Sequence, residues 1–152
     1  MGRLDGRVAI ITGGAKGIGV HYARALAAEG ARLMIADIAD GKEVAEQLAR
    51  QHGANSVASA ITDVSDEAAA KALVAETTGR FGQIDVLVNN AALFAPLREH
   101  IANASKHVLA SRYLKRDLHP QDLLGALVFL ASAESDFMSG QNVLVDGGNA
   151  NT

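Results

Sequence analysis

Short apolar runs alternate with segments of helical periodicity along the first 88 residues of the chain. The apolar runs are residues 7–12, 31–36, 56–61 and 84–88, and the helical segments are residues 17–29, 41–52 and 65–80. Such uninterrupted apolar runs are typical of strands that are covered on both faces, as in parallel sheets. Alternation at roughly 30 residues per unit indicates a right-handed βαβ array. We therefore predict a doubly wound α/β fold, with one parallel sheet between two layers of helices.

The alternation stops after residue 88. Residues 91–111 contain no strand-like run, and we predict a loop followed by one polar helix there. Residues 120–132 predict a strongly apolar helix, and residues 141–145 predict a last strand before a pair of glycines. We expect Phe137, which lies between these two elements, to be a core residue. Because no repeat or low-complexity segment interrupts the chain, we predict a single domain over residues 1–152.

The composition excludes several classes of protein. The 152 residues carry 14 basic and 17 acidic side chains, a net charge of −3, and 49% of them are hydrophobic. The mild acidity and the six aromatic residues (2 Tyr and 4 Phe) argue against nucleic acid as a partner. The absence of Cys excludes disulfides and thiolate sites, and we predict no metal. No apolar run approaches the ~18 residues of a membrane span, and the polar N-terminus resembles no signal peptide. We therefore expect a cytoplasmic protein with a small-molecule substrate and no membrane partner.

The first strand runs directly into a glycine-rich turn that precedes the first helix. Gly13 would allow a tight turn, Gly17 a close approach of the backbone to a ligand, and Gly19 the packing of helix on strand. Backbone N–H groups at a helix N-terminus favour negative charge, so this turn suits a pyrophosphate. The alternative is that the glycines serve only the turn itself.

An acidic residue follows the second strand at the distance that a dinucleotide site requires. Asp37 lies 18 residues after Gly19 (37 − 19), close to the ~20 residues expected for an acid that binds ribose hydroxyls. A carboxylate there would accept both hydroxyls and repel a 2′-phosphate, which favours NAD over NADP as cofactor. Lys16 favours the opposite choice, because a cation in the turn could meet a 2′-phosphate. The alternative role of Asp37 is to cap the helix that begins near Gly41.

Together these motifs resemble the short-chain dehydrogenase/reductase family. The matching sequences are Thr12-Gly13-x-x-x-Gly17-x-Gly19, Asp63-Val64, Asn89-Asn90-Ala91-Ala92 (with Ala92 where the family has Gly) and Gly140-Gln141-x-x-x-Val145-Asp146-Gly147-Gly148. The resemblance covers residues 6–96 and about 111–148. It implies a Rossmann-like fold, an NAD cofactor and association as a homodimer or homotetramer. It also implies a cofactor site formed by Gly13, Lys16, Gly17, Ile18, Gly19, Asp37, Ile38, Asp63, Val64, Asn90 and Ala91.

The family's reaction centre has no clear counterpart in the chain, and no catalytic residue is assigned. Family members have a Tyr that gives or takes the proton, a Lys one helical turn later that lowers its pKa, an orienting Ser, and an Asn that anchors a water. Here Tyr22 falls in the first helix, and Tyr113 is followed four residues later by Asp117 rather than Lys. Residues 102–106 resemble the family's Tyr-x-Ala-Ser-Lys with Ala102 in place of Tyr, which makes Lys106 a candidate. Alternatively, they belong to a polar helix that leads into the substrate lid.

The simplest explanation is one missing block between about residues 96 and 103. Two βα units of roughly 30 residues each, with a lid, would complete the sheet and carry the Ser, Tyr and Lys. The parent protein is then expected to be an NAD(H)-dependent oxidoreductase that interconverts a secondary alcohol and a ketone or aldehyde by hydride transfer. The chain as given is expected to be inactive; the alternative function is a nucleotide-binding or structural fragment. Because the strand at residues 84–88 would have an open edge, we expect poor stability or association through it.

Overall fold

The computed structural model describes residues 2–92 and 112–148. Its strands are β1 (Val8–Thr12), β2 (Arg32–Asp37), β3 (Val57–Ile61) and β4 (Val86–Val88). Its helices are α1 (Ile18–Ala28), α2 (Lys42–His52), α3 (Glu67–Phe81) and α4 (Pro120–Ala131), followed by a short 3-10 helix at Ala133–Ser135. The predicted alternation of strands and helices up to residue 88 is confirmed. Of the loop and polar helix predicted at residues 91–111, all but positions 91 and 92 lie outside the described residues, and so does Lys106.

The four strands form one parallel sheet in the order β3-β2-β1-β4. β1 is central to this order: its Ile10 lies opposite Met34 of β2 on one side and opposite Leu87 of β4 on the other. The chain therefore moves outward from β1 through β2 and β3, and then returns to the opposite side of β1. Such a reversal creates a crevice at the carboxyl ends of the two strands that flank it, where open α/β sheets bind ligands. In this sheet the crevice lies at the ends of β1 and β4.

The side chains of the sheet alternate between two apolar clusters. Ile11 and Ile35 belong to one cluster, which also contains residues of α1, α2 and α4. Ile10 and Met34 belong to the other, together with residues of α3. Because helices cover both faces, β1 is buried along its whole length and is apolar up to its last residue, Thr12. The predicted three-layer, Rossmann-like arrangement is confirmed.

Charged side chains define where two of the helices begin. The Asp66 carboxylate caps α3 by accepting a hydrogen bond from the backbone N–H two residues later, at 2.8 Å. At the start of α4, Asp122 accepts a 2.9 Å bond from the backbone N–H of His119. Both oxygens of Asp122 also accept bonds from Arg116, at 2.6 and 2.7 Å. The Arg116 guanidinium and the His119 amide hold the pKa of the Asp122 carboxyl well below its usual range.

The prediction of a final strand at residues 141–145 is wrong for this structure. These residues form no strand, and their Val143 and Leu144 are exposed. A parallel strand needs a neighbour to exchange backbone hydrogen bonds, and within residues 2–92 and 112–148 nothing pairs with the outer side of β4. Leu87 of β4 is 56% exposed, and Phe137, which we expected in the core, is fully exposed. In the described part of the chain the sheet therefore ends at β4.

Candidate functional site

The carboxyl ends of the strands bring the predicted cofactor residues to one edge of the sheet. β1 leads into the turn at residues 13–17, β2 ends at Asp37, and β4 is followed by Asn90. Asp63 follows β3, the outermost strand on that side. The structure thus gathers residues that are up to 79 positions apart along the chain, as the contact between Thr12 and Ala91 shows.

The glycines of the turn are required by space and by backbone conformation. Gly13 and Gly17 have φ values of 65° and 59°, a region that favours glycine. A methyl group at position 13 would lie 2.9 Å from Cα of Ala91. A methyl group at position 19 would overlap the carbonyl oxygen of Gly13 and lie 2.9 Å from Cα of Gly14. Gly19 therefore packs the start of α1 against the turn itself, whereas we had predicted packing of the helix on the strand.

The N-terminus of α1 is open to an anion. Gly17 occupies the N-cap position, where it supplies no side-chain hydrogen bond, and the first turn of α1 contains no acidic residue. A methyl group at Gly17 would meet nothing within 4 Å, so the backbone there is accessible. The first N–H groups of a helix lack partners within the helix, and the helix dipole favours negative charge beside them. Ile18 begins the helix, and Lys16 is exposed in the turn.

Thr12 and Asn90 bind the turn to the end of β4. The Asn90 side-chain amide donates to the carbonyl oxygens of Thr12 and Gly13, both at 3.0 Å. The Thr12 hydroxyl accepts bonds from the backbone N–H groups of Asn90 and Ala91, at 3.0 and 3.1 Å, and donates to the carbonyl of Val88 at 3.2 Å. Asn90 therefore fixes the floor of the crevice between β1 and β4. Sequence reasoning missed this role of Thr12; its only signal is a hydroxyl residue at the end of an apolar strand.

Asp37 is fixed beside the glycine turn. The residue is only 6% exposed, and its two carboxylate oxygens accept 3.0 Å bonds from the backbone N–H groups of Ala15 and Ala39. A carboxylate has about four acceptor positions, so capacity for further donors is left. The alternative role in capping α2 is absent from the described contacts, because Asp40 instead accepts the bond from the Lys42 N–H, at 2.9 Å.

Two apolar side chains follow the acidic residues at the ends of β2 and β3. Ile38 is 63% exposed and Val64 is 49% exposed, each one residue past an Asp at the end of adjacent strands. Asp63 accepts bonds from the hydroxyl and the backbone N–H of Ser65, at 2.7 and 2.9 Å. These bonds lower the pKa of the Asp63 carboxyl, with the hydroxyl as the larger cause. This end of the site thus combines exposed apolar surface with an ionised acid.

Tyr22 does not provide a proton donor with a lowered pKa. Tyr22 packs against the cluster around Ile11, and its burial raises the pKa of the phenol. Tyr113 is 77% exposed.

A cavity of about 240 Å³ lies between residues 112–118 and 145–147, but none of the predicted cofactor residues lines it. Within the described residues, no group of three potential ligands could hold a metal ion. The carboxyl edge of the sheet is therefore the candidate site.

Comparison with known proteins identifies the family. Residues 7–116, which include all four strands, match the family model described as short chain dehydrogenase. The chain belongs to the short-chain dehydrogenase family. Residues 100–150 match a second model, described as Enoyl-(Acyl carrier protein) reductase. The resemblance inferred from the glycine, Asp-Val and Asn-Asn motifs is confirmed.

The chain is similar to only part of the length of its curated relatives. Sorbitol dehydrogenase of Cereibacter sphaeroides is 50% identical over 99 residues, which cover 64% of this chain and 38% of that protein. Galactitol 2-dehydrogenase of Agrobacterium fabrum is 46% identical over 92 residues, which cover 60% of this chain and 35% of that protein. The matched part of the chain thus spans well under half the length of these short-chain dehydrogenases.

Solved structures share the fold. A hydroxysteroid dehydrogenase from Escherichia coli superposes with a TM-score of 0.82 at 20% identity, over 96% of this chain and 97% of that chain. A 3-ketoacyl-(acyl-carrier-protein) reductase from Brucella melitensis, complexed with NADH, gives a TM-score of 0.76 at 22% identity, over 96% of this chain and 99% of that chain. These structures confirm the α/β fold of the family.

Proposed function

We propose that this chain is the nucleotide-binding part of an NAD(H)-dependent oxidoreductase that interconverts a secondary alcohol and a ketone or aldehyde. The observation that carries the proposal is the Asp37 carboxylate, held by Ala15 and Ala39 beside an uncapped helix N-terminus. An anion site and a fixed carboxylate on neighbouring strands suit a pyrophosphate and a ribose diol.

The residues present fit a dinucleotide. The turn at residues 13–17 would hold the pyrophosphate, because a bare backbone and the start of α1 face it. Asp37 would accept hydrogen bonds from the ribose hydroxyls of the adenosine half. Ile38 and Val64 offer exposed apolar surface for the adenine ring, with Asp63 beside it to accept a hydrogen bond. Asn90 and Ala91 would border the cofactor farther along the crevice.

Charge at the ribose supports NAD over NADP. A 2′-phosphate would lie close to the Asp37 carboxylate, and like charges in a partly desolvated site repel strongly. Lys16 would oppose this preference, but it is exposed, so solvent and salt screen its charge. The buried carboxylate therefore supports NAD as the proposed cofactor.

The reaction itself requires residues that this chain lacks. When bound, NAD supplies a nicotinamide ring that takes up or releases hydride. The accompanying proton needs a Tyr four residues before a Lys, and positions 26 and 117, four residues after the two tyrosines, are Leu26 and Asp117. We therefore propose that the missing block lies between about residues 96 and 103 and that the 152-residue chain does not turn over substrate.

The relatives support an alcohol substrate of the polyol kind. Their names include sorbitol dehydrogenase, galactitol 2-dehydrogenase and D-threitol dehydrogenase, the last 44% identical over 101 residues. We further propose a cytoplasmic homodimer or homotetramer without a nucleic-acid or membrane partner. In the ranges that the structure describes, no helix is long and apolar enough to cross a membrane.

A second candidate function is a nucleotide-binding or structural fragment without catalysis. The observation that favours it is the absence of a Tyr–Lys pair four residues apart anywhere in the sequence. The intact mass of the protein from its natural source separates the two. A mass of roughly 25 kDa, which allows for two more βα units and a lid, supports the oxidoreductase. A mass of 15.8 kDa supports the fragment.

Titration with reduced cofactors tests the proposed site. We expect the chain to bind NADH at least about tenfold more tightly than NADPH, as followed by calorimetry. Asp37→Asn should weaken NADH binding about tenfold or more, since a hydrogen bond to a charged group is worth about 1.5–3 kcal/mol. Asp40→Asn is the matched control, because Asp40 is exposed and bonds only Lys42 among the described contacts. Equal affinity of the wild-type chain for NADH and NADPH would contradict the role of Asp37.

A further inference from the structure

One buried methyl group separates the glycine turn from the start of α2. Ile35 lies in β2, two residues before Asp37, and is completely buried. A methyl group placed on Gly14 would lie 2.9 Å from Cγ2 of Ile35, and one placed on Gly41 would lie 3.0 Å from the same atom. Both glycines therefore pack directly on the branched methyl of Ile35.

Gly41 is needed for space and not for its backbone conformation. Its φ and ψ angles are −91° and 5°, which other residues adopt readily. It is buried, and a methyl group there would also lie 3.4 Å from Cβ of Ser59 and 3.5 Å from Cβ of Ala15. An alanine at position 41 would therefore crowd the Ile35 methyl, whereas its contacts with Ser59 and Ala15 would be of ordinary van der Waals length. Close-packed interiors transmit such displacements to their neighbours.

The turn residue next to Gly14 makes the contact that fixes Asp37. The Ala15 N–H donates to the Asp37 carboxylate at 3.0 Å. Hydrogen bonds weaken as the donor moves away or tilts, so a displacement of Gly14 by a few tenths of an ångström would weaken this one. The spacing between Ile35 and the two glycines therefore determines how well the turn holds the carboxylate.

We propose that Ile35 and Gly41 are positioning residues for the ribose-binding carboxylate. The Ile35 Cγ2 methyl supports Gly14 in the position that lets the Ala15 N–H donate to Asp37. Glycine at position 41 leaves enough space for that methyl group. Neither residue touches the cofactor in this account. The effect on NADH binding rests on the proposed function, whereas the effect on the Ala15–Asp37 bond does not.

The test compares Gly41→Ala in three backgrounds: wild type, Ile35→Val and Ile35→Leu. The valine substitution retains the branched Cγ2 methyl, and the leucine substitution removes the branch while keeping the volume, a change that cores usually tolerate. Hydrogen exchange of the Ala15 amide is measured by NMR, together with NADH affinity. Gly41→Ala should accelerate that exchange and weaken NADH binding, each about tenfold, in the wild-type and Ile35→Val backgrounds. In the Ile35→Leu background it should change neither.

A matched control is Gly79→Ala, where the added methyl group in α3 would meet nothing within 4 Å. This variant should leave Ala15 exchange unchanged. The proposal is overturned if Gly41→Ala leaves Ala15 exchange at the wild-type rate, or if it acts equally in the Ile35→Val and Ile35→Leu backgrounds. If Gly41→Ala does not fold in the wild-type background, recovery of the fold with Ile35→Leu but not with Ile35→Val supports the contact between position 41 and the Ile35 methyl. Failure to fold with Ile35→Val and with Ile35→Leu overturns the proposal. A chain that shows the exchange pattern but does not bind NADH refutes the proposed function and leaves the positioning role standing.

Discussion

β1 and β4 lie side by side in the sheet, but they differ in how completely they are covered. β1 pairs with a strand on each side, and all five of its residues are buried. β4 pairs only with β1 among the described strands, and its middle residue, Leu87, is 56% exposed. Their sequences are nearly equally apolar, so composition does not explain the difference. Burial of a parallel strand depends on neighbours that other parts of the chain must supply.

The same contrast separates the two described ranges. In residues 2–92 the polar groups at the carboxyl edge are bonded across distant parts of the chain, as with Thr12 and Asn90. In residues 112–148 several apolar side chains, including Tyr113, Leu144 and Phe137, face solvent. The first range therefore contains the candidate site, whereas in the second range α4 packs on the cluster around Ile11 but other apolar side chains have no cover among the described residues.

The largest expected effect is the difference in the free energy of unfolding between truncating a leucine in a covered strand and truncating one in β4. Leu33→Ala in β2, where the side chain is fully buried, should lower the free energy of unfolding by about 2–5 kcal/mol. Leu87→Ala in β4 should lower it by less than about 1 kcal/mol, because the side chain is already half exposed. Urea unfolding followed by circular dichroism measures both. Comparable losses for the two variants would show that β4 is as well covered as β2.

The outer edge of β4, which has no partner among the described strands, should cause association. Unpaired backbone groups on an apolar edge strand invite pairing with another chain, and a charge on that strand opposes it. We expect the wild-type chain to associate with rising concentration, and Leu87→Lys to weaken this association about tenfold. Val74→Lys, at a position 48% exposed on α3, serves as the control and should have little effect. Sedimentation of the wild-type chain as a 15.8 kDa monomer at all concentrations would refute this prediction.

The smallest effect concerns the ion pair that fastens the N-terminal residues to the end of α1. Arg3 and Glu29 are 2.7 Å apart, and the Arg3 side chain lowers the pKa of Glu29 from 4.5 to about 2. Because the pKa is depressed in the folded state, the stabilisation is complete above pH 4.5 and is lost as the pH falls toward 2. Glu29→Gln should therefore flatten the loss of stability in that window.

Thermal unfolding at a series of pH values measures this slope. Glu46→Gln is the control, since Glu46 lies 3.8 Å from Lys42 in an exposed pair of the kind that contributes little. If Glu29→Gln and Glu46→Gln give the same pH dependence, the Arg3–Glu29 pair does not stabilise the folded chain.

Local sequence patterns predicted the helices and strands correctly where the neighbouring elements that they pack against lie within the described residues. The helix predicted at residues 41–52 is present as Lys42–His52, and the strand predicted at residues 84–88 as Val86–Val88. Residues 141–145 have an equally strand-like pattern but form no strand. Hydrophobic pattern reports which residues prefer burial; it contains no information on whether a neighbouring strand exists.

The candidate site was predictable where residue type and spacing carry the chemistry. Gly13, Gly17 and Asp37 were identified from glycine spacing and from the distance to the acid, and the structure brings them together. The contributions of Thr12 and Ala15 were not predictable, because they act through a hydroxyl and a backbone N–H toward residues far along the chain. Such contacts depend on the folded geometry, which spacing alone does not specify.

The most direct test of the difference between the two regions is an NMR titration of the isotopically labelled 152-residue chain with NADH. We predict saturable shifts of backbone amide signals in residues 12–19, at Ala39 and at Asn90 and Ala91, with residues 112–148 unaffected. This result would place the cofactor at the carboxyl edge of a formed site. Absence of saturable shifts at the glycine turn, or shifts centred on residues 112–118 and 145–147, would contradict the assignment of that edge as the nucleotide site.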